Sequence, residues 1–153
     1  AIFEAIIDCE PIDGCKQFSK TLDQFEFVKT VGTWVENRSD EHVSTSNLFA
    51  MVSDMEKKYS SCEFVGRIKE LVHSIDDRIL FYDICKDCYF DDNSSNLEAT
   101  LKDIMDSHKE LLLKMKTYID EASMLHKVGL IKTWKDDNEY RMKPSHQLTT
   151  MYR

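Results

Sequence analysis

Residues 95–127 read SNLEATLKDIMDSHKELLLKMKTYIDEASMLHK. Apolar side chains fall at Leu97, Leu101, Ile104/Met105, Leu111/Leu112, Met115, Tyr118/Ile119, Ala122 and Leu125. Steps of three and four put them on one stripe of an α-helix. Ser95 and Glu98 stand three apart, the spacing at which two side chains cap a helix start reciprocally. With neither glycine nor proline inside it, the stretch predicts a single helix near 96–127, on the order of 45 Å long. Such a helix would be the mast against which shorter ones pack.

Outward from the mast, the breaker residues support the same class. The 153 residues hold four glycines (Gly14, Gly32, Gly66, Gly129) and two prolines (Pro11, Pro144). A β-rich domain of this size needs more turn formers. The expected fold is therefore all-α: a bundle of five helices, four plus a shorter fifth, in one domain spanning 1–153. Residues 1–18 read as an irregular N-terminal arm, with Ser19 able to cap the first helix. Leu22, Phe25, Val28, Val31 and Val35 carry that helix, and Asn37–Ser46 reads as a loop. A second helix covers about 47–59. A third opens on a Ser60/Glu63 capping box and runs through Val65, Ile68, Leu71, Ile75, Ile79 and Tyr82. Residues 85–94 form an acidic connection to the mast. Gly129 breaks the chain after it, a fifth helix starts near Leu130, and residues from Pro144 form a tail.

Twenty Lys and Arg against 28 Asp and Glu give a net charge of −8. An acidic surface disfavours nucleic acid, whose phosphates call for basic patches. It disfavours an anionic membrane surface for the same reason. The apolar runs are far too short for a membrane span. Pairs such as Glu63/Arg67, Glu98/Lys102 and Glu110/Lys114 have the i,i+4 spacing of a solvated helix face.

Five cysteines carry the most chemistry: Cys9, Cys15, Cys62, Cys85 and Cys88. A zinc site needs four ligands, and Cys85-Lys86-Asp87-Cys88 supplies two with no second pair; His73, His108 and His126 have no ligand spacing. A redox pair needs nearby positive charge, whereas Cys85 sits among Asp83, Asp87, Asp91 and Asp92. Disulfides and buried free thiols remain. A continuous third helix separates Cys62 from Cys85 by roughly 33 Å, too far for a bridge. The arm must then supply the partners: Cys15 for Cys62, and Cys9 for Cys85 or Cys88. Closing about 48 residues with the first bridge contributes about 4 kcal/mol in the chain-entropy account. Asn37-Arg38-Ser39 and Asn93-Ser94-Ser95 are N-glycosylation sequons at Asn37 and Asn93. The start Ala-Ile-Phe-Glu fits a mature chain after signal cleavage.

Catalytic patterns are lacking. There is no glycine-rich phosphate loop, no His-Glu-x-x-His and no Gly-x-Ser-x-Gly. Residues 87–92 lack the glycine and terminal glutamate of a calcium-binding helix–loop–helix. His108 and Glu110 do not converge on one helical face, so they form no acid–base pair. Trp34 and Trp134 lie beside apolar stripes and read as core anchors. Met51, Met55, Met105, Met115 and Met124 fall on or near inward faces, where unbranched side chains fill gaps or line an adaptable cavity.

The Cys9/Cys15 arm, Cys62 and the Cys85-x-x-Cys88 connection, in an acidic helical chain of this size, resemble the small secreted helical proteins in the saliva of blood-feeding dipteran insects. The resemblance implies a secreted protein without enzymatic activity or cofactor, binding a host protein or acting on immune cells. The insect odorant-binding pattern fits less well, since it has six cysteines and a Cys-x-x-x-Cys pair. Protein partners would be met through Phe90, Tyr140 and Tyr152. Two other readings stand beside this one: a small carrier of a hydrophobic ligand, and an intracellular helical-bundle interaction protein that inhibits signalling or death pathways.

Overall fold

The computed structural model describes residues 14–145, with side chains from Asp23 onward. It is mostly helical, with a small three-stranded sheet. Helix α1 (Gly14–Asn37) buries Phe27, Val28, Val31 and Val35 at helical spacing. Residues 14–18, expected in the arm, already belong to this helix, so it does not wait for a cap at Ser19. The rest of the arm, with Cys9, lies outside the described residues.

Helix α2 (Thr45–Lys58) starts where the Ser44 side chain accepts from the Asn47 amide. Its buried face is Leu48, Val52 and Glu56. Helix α3 (Glu63–Leu71) and helix α4 (Ile75–Asp91) replace the single third helix that the spacing predicts. Cys62, not Ser60, takes the N-cap position of α3, and no side chain caps it. Between the two helices the chain is extended at Val72 and Ser74. The break persists because Arg78 donates to the freed carbonyls of Val72 and His73, each at 3.0 Å. A buried carbonyl left without such a donor would cost about 1–3 kcal/mol.

Helix α4 is the element at the centre of the molecule. Every residue from Asp77 to Cys85 is buried, as expected of a helix surrounded on all sides. It packs against α1, α2 and the later sheet and helices. The expected acidic connection at 85–94 is in large part the last turns of this helix, which ends at Asp92 in a left-handed conformation (φ 47°).

The mast is not one helix. Strand β1 (Ser95–Asn96) precedes three separate pieces: α5 (Leu97–Ile104), α6 (His108–Ile119) and α7 (Met124–Lys127). Each new piece starts on its own serine cap: Ser107 accepts from the Glu110 amide, and Ser123 from the His126 amide. Asn96, not Ser95, caps α5. At the first break Arg38 fans over the carbonyls of Lys102, Asp103 and Met105 and pairs with Asp106 at 2.5 Å. Thr45 closes the same joint, donating to Asp106 and to the Ile104 carbonyl. Glu121 (φ 56°) turns the chain at the second break. The apolar stripe runs through both breaks, because each piece turns its own face to the common core.

The expected fifth helix is a β-hairpin. Strand β2 (Ile131–Asp136) pairs antiparallel with β3 (Glu139–Pro144), and β3 also pairs with β1, giving the order β1-β3-β2. Asp137-Asn138 forms the two-residue turn, with Asp137 at φ 55°. A left-handed residue there matches the right-handed twist of the strands. Pro144, expected to open the tail, is the last residue of β3; residues 146–153 lie outside the described residues.

Candidate functional site

Three polar assemblies lie on or beside α4. The deepest is fully satisfied. Arg78 reaches Glu56 through two bonds of 2.7 and 3.0 Å, and the Tyr82 hydroxyl donates to the same carboxylate at 2.7 Å. Burial and then the Glu56 charge push the Tyr82 hydroxyl far above its ordinary pKa. With every bond used, this network joins α2 to α4 and has nothing left to offer a ligand.

The second assembly is a cluster of carboxylates at the α1–α4 contact. Glu36 near the end of α1 and Asp83 and Asp87 on α4 bring carboxylate oxygens within 4.8 Å of one another. Asp83 is 3% exposed, and among the described residues its Oδ1 has no hydrogen-bond partner. Asp87 accepts from the Ser95 hydroxyl at 2.6 Å. Lys86 donates to Glu36 at 2.6 Å. Its stem lies flat on Gly32, where a Cβ would come within 2.3 Å of the lysine Cδ. Burial, followed by repulsion from Asp87 and Glu36, holds the Asp83 carboxyl far above its usual range. Burial also raises Asp87 and Asp103, with Glu36 adding to both.

The third assembly is an open groove of about 420 Å³ between α2 and α6. Phe49, Met105 and Leu113 give it apolar walls; Asp76, Glu110 and Lys114 form the polar side. Lys114, expected to pair with Glu110 on a solvated face, instead bridges Asp76 (2.7 Å) and Asp77 (3.2 Å). Buried Tyr118 donates to Asp77 at 2.5 Å. Burial alone would raise the Asp76 carboxyl, but bonds from Lys114 and Ser74 and the ammonium charge hold it below its ordinary value. Beside the groove, α6 exposes Leu112 and Leu113, at 52% and 59%. Lys109 and Lys116 are exposed one turn to either side, and Lys116 pairs with Asp120 at 2.6 Å, so the outer face of α6 is an apolar patch with charges of both signs at its rim.

The residues singled out from sequence fall elsewhere. Among the described residues Cys62, Cys85 and Cys88 form no bridge with one another; Cys9 and the side chain of Cys15 lie outside the described residues. Burial raises all three described thiols, Cys85 furthest, which keeps them protonated and poor nucleophiles. The separation of Cys62 from Cys85 by one straight helix does not hold, since the break at 72–74 lies between them. Asn37 and Asn93 are both exposed. Phe90 is exposed and meets Phe25 edge-on, while Tyr140 is half-buried under Lys135. Tyr152 lies outside the described residues. Trp34 is half-buried at the core's edge, and Trp134 is half-buried on the hairpin under Lys143, so neither is inside the core. Met51, Met55, Met105 and Met115 are likewise half-buried and Met124 is exposed, so none of the five lines an interior cavity; among the described residues the buried methionine is Met142. The expected Glu98–Lys102 pair forms, whereas Arg67 turns to Glu70 and not to Glu63.

Among the described residues no helix is long and apolar enough to cross a membrane. No family model matches the chain, and comparison with characterised proteins and with solved structures likewise finds no match.

Proposed function

We propose that this chain is a secreted, non-enzymatic binding protein whose protein partner docks on the outer face of α6 and the groove beside it. The observation that carries the reading is the exposed pair Leu112 and Leu113, framed by Lys109 and Lys116 and continuous with the apolar wall of Phe49 and Met105. Burying two such side chains, now half in water, contributes about 1 kcal/mol or more each. Lys109 at the rim favours a partner that offers apolar side chains beside a carboxylate. Secretion is supported by the exposure of both sequon asparagines. A disulfide from Cys9 or Cys15 to one of the three described cysteines belongs to the same proposal.

Leu112→Asp with Leu113→Asp tests the surface, because both side chains already stand in solvent and the fold keeps its core. Extracellular proteins retained by the wild type should be lost from the double variant at unchanged thermal stability. Equal retention by both chains contradicts the proposal. Peptide mapping without reduction tests secretion: a bridge to Cys9 or Cys15 supports it, and five alkylatable thiols favour the intracellular reading. The groove's volume lies within the range of small-molecule sites, which keeps the carrier as second reading. A lipid retained in native mass spectrometry and displaced by Leu113→Asp would favour it.

A further inference from the structure

We infer that Glu36, Asp83 and Asp87 form a site for a hard divalent cation of the calcium class, with the Lys86 ammonium as the counter-ion that such a cation displaces. Two oxygens bound to one calcium ion at about 2.3–2.6 Å stand no more than roughly 5.2 Å apart. The three carboxylates, with oxygens within 4.8 Å of one another, satisfy that limit without moving their helices. The donors are all carboxyl oxygens, which suit calcium, magnesium or manganese and not the softer metals that prefer thiolate or imidazole.

A cluster of acids alone could be held by solvent, and here Asp83 supplies the independent observation. Its side chain is buried, yet Oδ1 accepts no hydrogen bond from any group among the described residues. A buried carboxyl oxygen left unpartnered is costly, and a cation among the three side chains would satisfy it. The surroundings are built for positive charge. Asp103 adds a fourth carboxylate that repels Glu36 and Asp87, while Arg38 is committed to the α5 carbonyls and Asp106. Among the described residues Lys86 is the cation that meets the cluster, and its ammonium pairs with Glu36 at 2.6 Å. Gly32 leaves the space through which the lysine stem passes. Glu36 is exposed, so its side of the cluster gives a cation both an entry path and the water ligands needed beyond the carboxylates.

The test is calorimetric titration of the chelator-treated chain with calcium chloride and, separately, magnesium chloride. One saturable calcium site is expected, in the range of about 10⁻⁴ to 10⁻³ M that extracellular calcium modules show. Lys86→Met, which removes the competing ammonium, should tighten it at least about tenfold, and Glu36→Gln should weaken it by a similar factor. Glu36 is exposed, so its variant keeps the fold, and circular dichroism checks this. The inference is overturned by no saturable calcium heat in either the wild type or Lys86→Met. It is equally overturned by Glu36→Gln binding as the wild type does, and tighter binding of magnesium than of calcium overturns the calcium class.

Discussion

At the scale of single residues, the groups that hold this molecule together are those whose partners lie far along the chain. Arg78 satisfies Glu56 and two carbonyls at a helix break, and Tyr82 completes the carboxylate. Arg78→Met leaves Glu56 buried without its counter-ion and should cost about 3–5 kcal/mol. Tyr82→Phe removes one bond to a charged acceptor and should cost about 2 kcal/mol. Urea denaturation read by circular dichroism measures both, and a loss under about 1 kcal/mol for Arg78→Met would place the pair outside the folding core. None of this was legible in the sequence, because Glu56 and Arg78 each look like ordinary charges on a helix face. The cysteines show the same limit. Their count and spacing are visible in the sequence, but the burial that raises the Cys62 and Cys85 thiols depends on what packs over them.

At the scale of elements, periodicity finds helical turns and is blind to where a helix stops and restarts in register with the core. The stripe from Leu97 to Leu125 is real, yet three helices share it. The signs of interruption were present: Ser107-His108-Lys109-Glu110 has capping-box spacing, and Ser123 precedes another short piece. The Asp137-Asn138 turn, between Ile131-Lys132-Thr133-Trp134 and the residues of β3, was also a readable hairpin signal. What could not be read was the stabilisation of the first break, since Arg38 and Thr45 reach it from α1's end and α2's start. His108→Pro separates the two architectures. At the first position of α6, after an extended Ser107, proline should cost less than about 1 kcal/mol. Inside a continuous helix it would cost about 3 kcal/mol or more. Thermal unfolding of the variant decides between them.

At the scale of the whole molecule, the mostly helical class was legible because breakers are scarce and apolar residues recur every three or four positions. The candidate sites were not. Glu36, Asp83 and Asp87 come from two helices, with Asp103 from a third, and only the i,i+4 pair Asp83/Asp87 hints at a cluster in sequence. The α6 surface left a clearer trace. Three consecutive leucines, Leu111-Leu112-Leu113, cover some 200° of a helix, more than a single buried face can take. Leu111 is buried and its two neighbours are not. That surplus exists because α6 is a short helix at the outside of the bundle, while α4 occupies the position expected of the long one. The direct measurement is a photo-crosslinking side chain placed at position 113, at 90 and at 140 in otherwise identical chains, exposed to the extracellular proteins the wild type retains. One protein adduct from 113 that is absent from 90 and 140 is the expected result. Adducts from 90 or 140 with none from 113 would contradict it.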